Sequence, residues 1–308
     1  MTGYIIRRVL QFIPVVIAAT LIVYAMVFLM PGDPIRALSG DRPMSPQVQE
    51  ALREQYNLND PFLIQYAKYM WGVFTAGDFG TTFQGRPVLD IIQQGLPITV
   101  TLALVAFSFQ IVIGIIAGVL AAVYKDSFLD RLVQVSLIIV VAVPTLAIGF
   151  LLQLTFGLNL EWFPIAGTRE GLVSYILPGI TLGAVSTGIV ARMLRSELVE
   201  ALQSDYVRTA TAKGMRPRRV VVRHGLRNSL IPVVTFLGAD LATMLGGTVV
   251  VETIFNLTGL GGQIFRSIQA QENTVVVGIV TLFVLFYVVL NLLVDLLYAV
   301  IDPRIRYD

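Results

Sequence analysis

Chemistry in this chain has to be sought among a few polar side chains set in long apolar runs. Asp240 lies about halfway along FLGADLATMLGGTVVVE, Gln110, Gln134 and Gln153 stand in other runs, and Asn291 and Asp295 lie near the end of the last. A carboxylate or amide at membrane depth is costly unless it finds partners, so each is a functional candidate by default. Asp240 could line a solute pathway, or it could accept hydrogen bonds from a neighbouring helix. One central acid falls short of the relay a proton-driven pump needs. Gln110 and Gln153 could face a lumen or bridge helices. A second group is basic: residues 204–232 carry Arg208, Lys213, Arg216, Arg218, Arg219, Arg223 and Arg227 against one acid, Asp205. By charge alone this stretch could set topology, hold lipid headgroups or contact nucleic acid. The glycine cluster Gly259-Leu260-Gly261-Gly262-Gln263 lacks the Lys-Ser/Thr of a phosphate-binding loop and is not read as one. With no cysteine and one histidine, His224, disulfides, thiolate catalysis, iron–sulfur clusters and histidine-rich metal sites are excluded.

The elements that must position these residues are membrane spans. Of 308 residues 56% are hydrophobic and 14% charged, against about 25% charged in soluble domains. Apolar runs at about 9–30, 97–124, 131–158, 174–198, 230–253 and 274–301 are each long enough to cross hydrocarbon, which predicts six transmembrane helices in one membrane domain, 1–308. Arg7 and Arg8 precede the first run, which continues to Met30 without a signal-peptide cleavage pattern and stops at Pro31-Gly32-Asp33-Pro34. Positive charge recurs in alternate connections: Lys125 with Arg131, the 204–232 stretch, then Arg304 and Arg306. That pattern places both termini in the cytoplasm and the 31–96 loop outside. The external loop should be folded. SPQVQEALREQYNL reads as a helix capped at Ser45 with Pro46 first, and PFLIQYAKYMWGVF as an amphipathic one.

The basic stretch, residues 204–229, has the form of a docking surface. Ser204 and Asp205 can cap a helix that runs to Gly214, glycine permits the left-handed turn ending it, and Pro217 can open a second helix. Ala210 and Gly214, four apart, are expected on one helix face open to a partner. Glycine and proline recur in the spans at Gly114, Gly118, Pro144, Gly183, Gly188, Gly246 and Gly247, where they allow close helix approach or a break.

This loop resembles the cytoplasmic EAA loop of permease subunits of binding-protein-dependent ABC importers. With Gly214 as anchor, Arg208-Thr209-Ala210 occupies the Glu-Ala-Ala positions and departs at the glutamate. Leu226-Arg227 falls where many relatives have Leu-Pro. Asp205 to Gly214 and Arg223 to Asn228 match the peptide-permease form, D-Y-V-R-T-A-x-A-K-G followed by R-H-x-L-R-N. PGDP at 31–34, IFNLTGLGG at 254–262 and NLLVDLLYAVIDPRIR at 291–306 match the same branch. The chain is therefore similar to the first of two paired permeases of a dipeptide, oligopeptide or nickel importer.

The resemblance implies an all-α membrane protein of the type I ABC-importer permease fold, in the plasma (inner) membrane of a prokaryote. Its expected partners are a second homologous permease, ATP-binding subunits, an extracytoplasmic substrate-binding protein and the lipid bilayer, with no nucleic acid. No cofactor is expected on this chain; ATP and Mg would be bound, and ATP hydrolysed, by the separate subunits. The coupling contacts would come from Asp205, Tyr206, Arg208, Thr209, Ala210, Lys213, Gly214 and Arg218. The cargo could be peptides, nickel chelates, haem or another small solute. A secondary transporter would need ion ligands and an inverted repeat, and a channel a pore loop or charged ring; neither is evident. A mere scaffold would need no breaks in its spans.

Overall fold

The computed structural model describes residues 2–28, 45–55 and 59–301. The PGDP stretch and the final Arg304 and Arg306 lie outside them. Among the described residues regular structure is helical, apart from one isolated bridge between Thr81 and Pro87. The helices are α1 (Thr2–Phe28), α2 (Pro46–Gln55), α3 (Phe62–Ala76), α4 (Val88–Val123), α5 (Phe128–Ala142), α6 (Thr145–Leu152), α7 (Ile176–Gln203), α8 (Asp205–Ala212), α9 (Pro217–Val220), α10 (Arg227–Ile254), α11 (Leu260–Gln269) and α12 (Asn273–Ile301). Among the described residues five helical stretches are long and apolar enough to cross a membrane: Leu10–Phe28, Val88–Val123, Gly171–Gln203, Pro217–Ile254 and Asn273–Asp295.

A sixth span is formed only if two bent halves count as one. Phe128–Ala142 and Thr145–Asn159 meet at 106°. Val143-Pro144 explains the break: proline has no N–H to continue the ladder and pushes the residue before it out of the helical region, and Val143 is extended at φ −87, ψ 129. The apolar run 131–158 is thus a broken helix.

The chain divides into two compact units, Met1–Ile98 with Thr258–Leu292 and Thr99–Leu257 with Leu293–Asp308. In the first, α3 lies on α1. Tyr24 stacks on Phe28 at 4.4 Å and meets Phe62, Tyr66 and Tyr69 at 5.5–5.7 Å between ring centroids. The Thr20 and Tyr66 hydroxyls are 2.8 Å apart, so of the described residues between the first two long spans Phe62–Ala76 packs on α1 as a helix. In the second unit α4, α7 and α10 share a core in which Val190, Leu194, Val233 and Leu237 are buried against Phe107, Ile111, Ile115 and Val119. Small residues set the spacing: a Cβ on Gly118 of α4 would lie 2.8 Å from the Ala191 carbonyl of α7. Gly246, by contrast, faces open space.

Candidate functional site

The basic stretch folds as a corner. The Ser204 carbonyl accepts from the N–H groups of Val207 and Arg208 at 3.2 and 3.1 Å, which starts α8. The Ser204 hydroxyl does not cap forward as expected; it donates back to the Ala201 carbonyl at 2.5 Å. Asp205 instead puts a carboxylate in the first turn, where the helix dipole favours it. At the far end Gly214 has φ +74, a left-handed conformation that a side chain would strain, and its N–H reaches the Thr211 carbonyl at 2.9 Å. Pro217 opens α9, which continues through a wide turn over Val221–Leu226 into α10. The expected helix, glycine and second helix are all present.

One expectation for this corner is corrected. Ala210 and Gly214 do not share an open helix face, because α8 ends at Ala212 and Ala210 is 6% exposed, packed with Val207 and Val220 under Leu202 and Met215. Ala210 holds the two short helices together; its small side chain permits the corner rather than a partner's approach. The open surface is made by Asp205, Tyr206, Arg208, Thr209, Lys213, Gly214 and Arg218, all exposed. Arg208 and Asp205 pair at 3.6 Å with side chains 74% and 98% exposed, so water screens the pair and both charges remain available. On the side toward α10, Tyr206, Arg223, His224, Arg227, Asn228 and Ile231 line a cavity of about 490 Å³. Two guanidiniums four residues apart can hold a carboxylate or phosphate there.

Asp240, Gln110 and Gln153 bridge helices, whereas Gln134 and Asn291 bond within their own, to the Asp130 carboxylate and the Tyr287 carbonyl. Asp240 of α10 accepts from the Gln110 side chain of α4 at 2.9 Å and from the Ser186 hydroxyl of α7 at 3.1 Å. Three core helices thus meet on one carboxylate. Gln110 is fully buried, and its carbonyl oxygen has no partner among the described residues. Gln153 donates to the Ile165 and Ile254 carbonyls at 2.9 and 3.1 Å, tying the broken helix to the end of α10.

Two buried charges escaped the sequence reading. Asp130, 1% exposed, binds Arg195 through two hydrogen bonds of 2.6 Å and also accepts from the Asp126 N–H and the Gln134 amide. Glu252, fully buried, accepts from Thr99 at 2.7 Å. The signal was present: Arg195 interrupts the 174–198 run and needs a counter-charge, and Asp130 opens the preceding run. Among the described residues no group of three or more acidic, histidine or cysteine side chains gathers as a metal site would require.

Comparison with known proteins covers the whole chain. Residues 110–307 match the family described as binding-protein-dependent transport system inner membrane component, and residues 1–103 match its N-terminal counterpart. The putative peptide transport system permease protein of Brucella abortus (strain 2308) is 38% identical over 316 residues, covering 100% of both chains. The glutathione transport system permease protein of Escherichia coli (strain K12) is 38% identical over 308 residues, again covering 100% of both. Among solved structures, the inward-facing MetNI methionine ABC transporter is similar with a TM-score of 0.59 at 18% identity, covering 70% of this chain and 97% of that one. That similarity shows a shared fold.

Proposed function

The chain belongs to the family of binding-protein-dependent transport system inner membrane components, and from that premise we propose that it is the first of two paired permeases of an ATP-driven importer of peptides. In this reading it contributes half of the translocation pathway, and a second permease contributes the rest. An extracytoplasmic binding protein delivers the cargo. Peptide and glutathione permeases among its full-length relatives support peptides as that cargo. ATP and Mg sit on separate ATP-binding subunits, which carry out hydrolysis. The charge distribution and the family description together support a multi-pass protein of a prokaryotic inner membrane with both termini in the cytoplasm.

The observation that carries the mechanism is the corner at 204–226. Its inner side is fixed by Val207, Ala210 and Val220, while α8 turns a polar face away from the rest of the chain. That face can seat in a groove of an ATP-binding subunit and move with it. Because α9 runs on into α10, displacement of α8 is passed to the helix carrying Asp240. ATP then drives transport by stabilising one arrangement of the spans over the other, which requires that the two arrangements bind the ATP-binding subunits with different free energy. Asp240 and Gln110 hold α4, α7 and α10 in register during that motion.

The test is reconstitution with the partner permease, ATP-binding subunits and binding protein, followed by ATP-driven uptake of short peptides. Thr209→Trp, placing bulk on the open face of α8, is expected to lower uptake about tenfold while thermal unfolding of the isolated chain stays unchanged. Undiminished uptake would remove the docking role from this face.

A further inference from the structure

The first compact unit contains a built basic pocket that no part of the transport mechanism above uses. It has a volume of about 420 Å³ and lies between the start of α4 and α11, lined in part by Arg86, Gln94, Gly95, Thr258, Gln263 and Arg266. Each wall is held from behind. Arg86 sits in a tight loop closed by the Thr81–Pro87 bridge, where the Thr82 N–H donates to the Arg86 carbonyl at 2.8 Å and the Arg86 N–H donates to the Thr82 hydroxyl at 3.1 Å. Gln263 accepts from Nε and Nη2 of Arg266 at 3.3 and 3.1 Å, which aims that guanidinium and leaves its remaining donors unused by this contact. Gly95 lets the two walls close: a Cβ there would lie 3.1 Å from the Leu260 nitrogen and 2.8 Å from the Leu260 side chain.

No acidic side chain lines this pocket, and among the described residues neither arginine has a carboxylate partner. Two guanidiniums flanked by two primary amides form a set of donors suited to a carboxylate. On the same helix as Arg266, Phe265 and Ile268 are 43% and 56% exposed. Apolar groups and an arginine beside a basic pocket have the composition of a protein-binding surface, where aromatic residues and arginine are enriched.

Building on the importer reading, we propose that this pocket receives an aspartate or glutamate side chain of the substrate-delivering binding protein, with Phe265 and Ile268 forming the apolar rim of the contact. By the charge rule both walls belong to external segments, on the side from which such a protein arrives. Long-range attraction between the arginines and an acidic lobe would also speed the encounter and make it sensitive to salt.

The experiment uses the complete importer in nanodiscs and its own peptide-loaded binding protein, with affinity and association rate followed by surface plasmon resonance at several salt concentrations. Arg86→Glu combined with Arg266→Glu is expected to weaken binding about tenfold or more and to flatten the salt dependence of the association rate. Recovery of the ATP-binding subunits in the purified complex shows that the variant has assembled. The milder Arg86→Lys, Arg266→Lys pair should lose the forked contact but retain most of the salt dependence. Charge reversal of the cognate acid in the binding protein should restore binding to the double glutamate variant. Binding within about twofold of wild type for the assembled glutamate variant, the value expected of screened surface charge, overturns the proposal. So does unchanged binding with selective loss of uptake for peptides bearing a free C-terminal carboxylate over amidated ones, because the pocket would then serve the cargo. A wild-type complex that neither binds the protein nor takes up peptide would instead count against the importer reading.

Discussion

Two regions hold positive charge in opposite ways. Arg195, on a span, is locked in a forked contact with Asp130, whose carboxylate also takes the Gln134 amide and a backbone N–H. Arg208, Arg218, Arg223 and Arg227, a short way along the chain, stand exposed, and among the described residues only Arg208 meets an acid, loosely. The first arrangement satisfies its charges and joins the start of α5 to α7. The second leaves donors available to another molecule. Where an arginine sits relative to the apolar core thus decides whether it shapes the chain or addresses a partner.

Removing one partner of the internal pair should have the largest effect. Arg195→Met leaves Asp130 as a buried, uncompensated carboxylate and is expected to cost about 3–5 kcal/mol. Thermal unfolding of the detergent-solubilised chain would read this loss, and adding Asp130→Leu should recover most of it. If the single variant melts like wild type, the buried pair is not the clamp the geometry indicates. An intermediate effect is expected for Asp240→Asn. The asparagine cannot accept at both positions now taken by Gln110 and Ser186, which should cost about 1–3 kcal/mol in the same melt. With a bridging role, the range of peptides carried remains as in wild type; an altered range would put this side chain on the solute path. The smallest change in stability belongs to the exposed region. Arg218→Ala should shift stability by no more than about 0.5 kcal/mol, while lowering the association rate of the ATP-binding subunits at low salt. A melt shifted as far as that of Arg195→Met would erase the distinction between the two regions.

Much of this was legible in the sequence because membranes simplify the grammar. Apolar length shows where a helix crosses, and Gly214 and Pro217 mark the corner in the loop through backbone rules that hold in any surroundings. Helical structure between the first two long spans was readable for the same reason, from Pro46 and the amphipathic pattern before Ala76. Side-chain partnership was less legible. Ala210 looked like a contact point because its spacing to Gly214 suits a helix face, yet packing against Val220, ten residues on, sets its role. Asp130 and Arg195 are 65 residues apart and Thr99 and Glu252 are 153 apart; no periodicity links such positions. Asp240 was found because it stands alone in its run, whereas Glu252 was overlooked because it falls at the edge of one.

The break at Val143-Pro144 also bears on how the protein enters the membrane. Phe128–Ala142 and Thr145–Asn159 have 15 residues each, below the roughly 20 that cross hydrocarbon as one straight helix. Neither half has the length to partition on its own during synthesis. The pair should wait in a partly inserted state until α7 has emerged and the end of α10 supplies the Ile254 carbonyl to Gln153. Biogenesis of this region is then a late step, completed from its C-terminal side, and a chain truncated before α10 should leave residues 128–159 open to proteolysis.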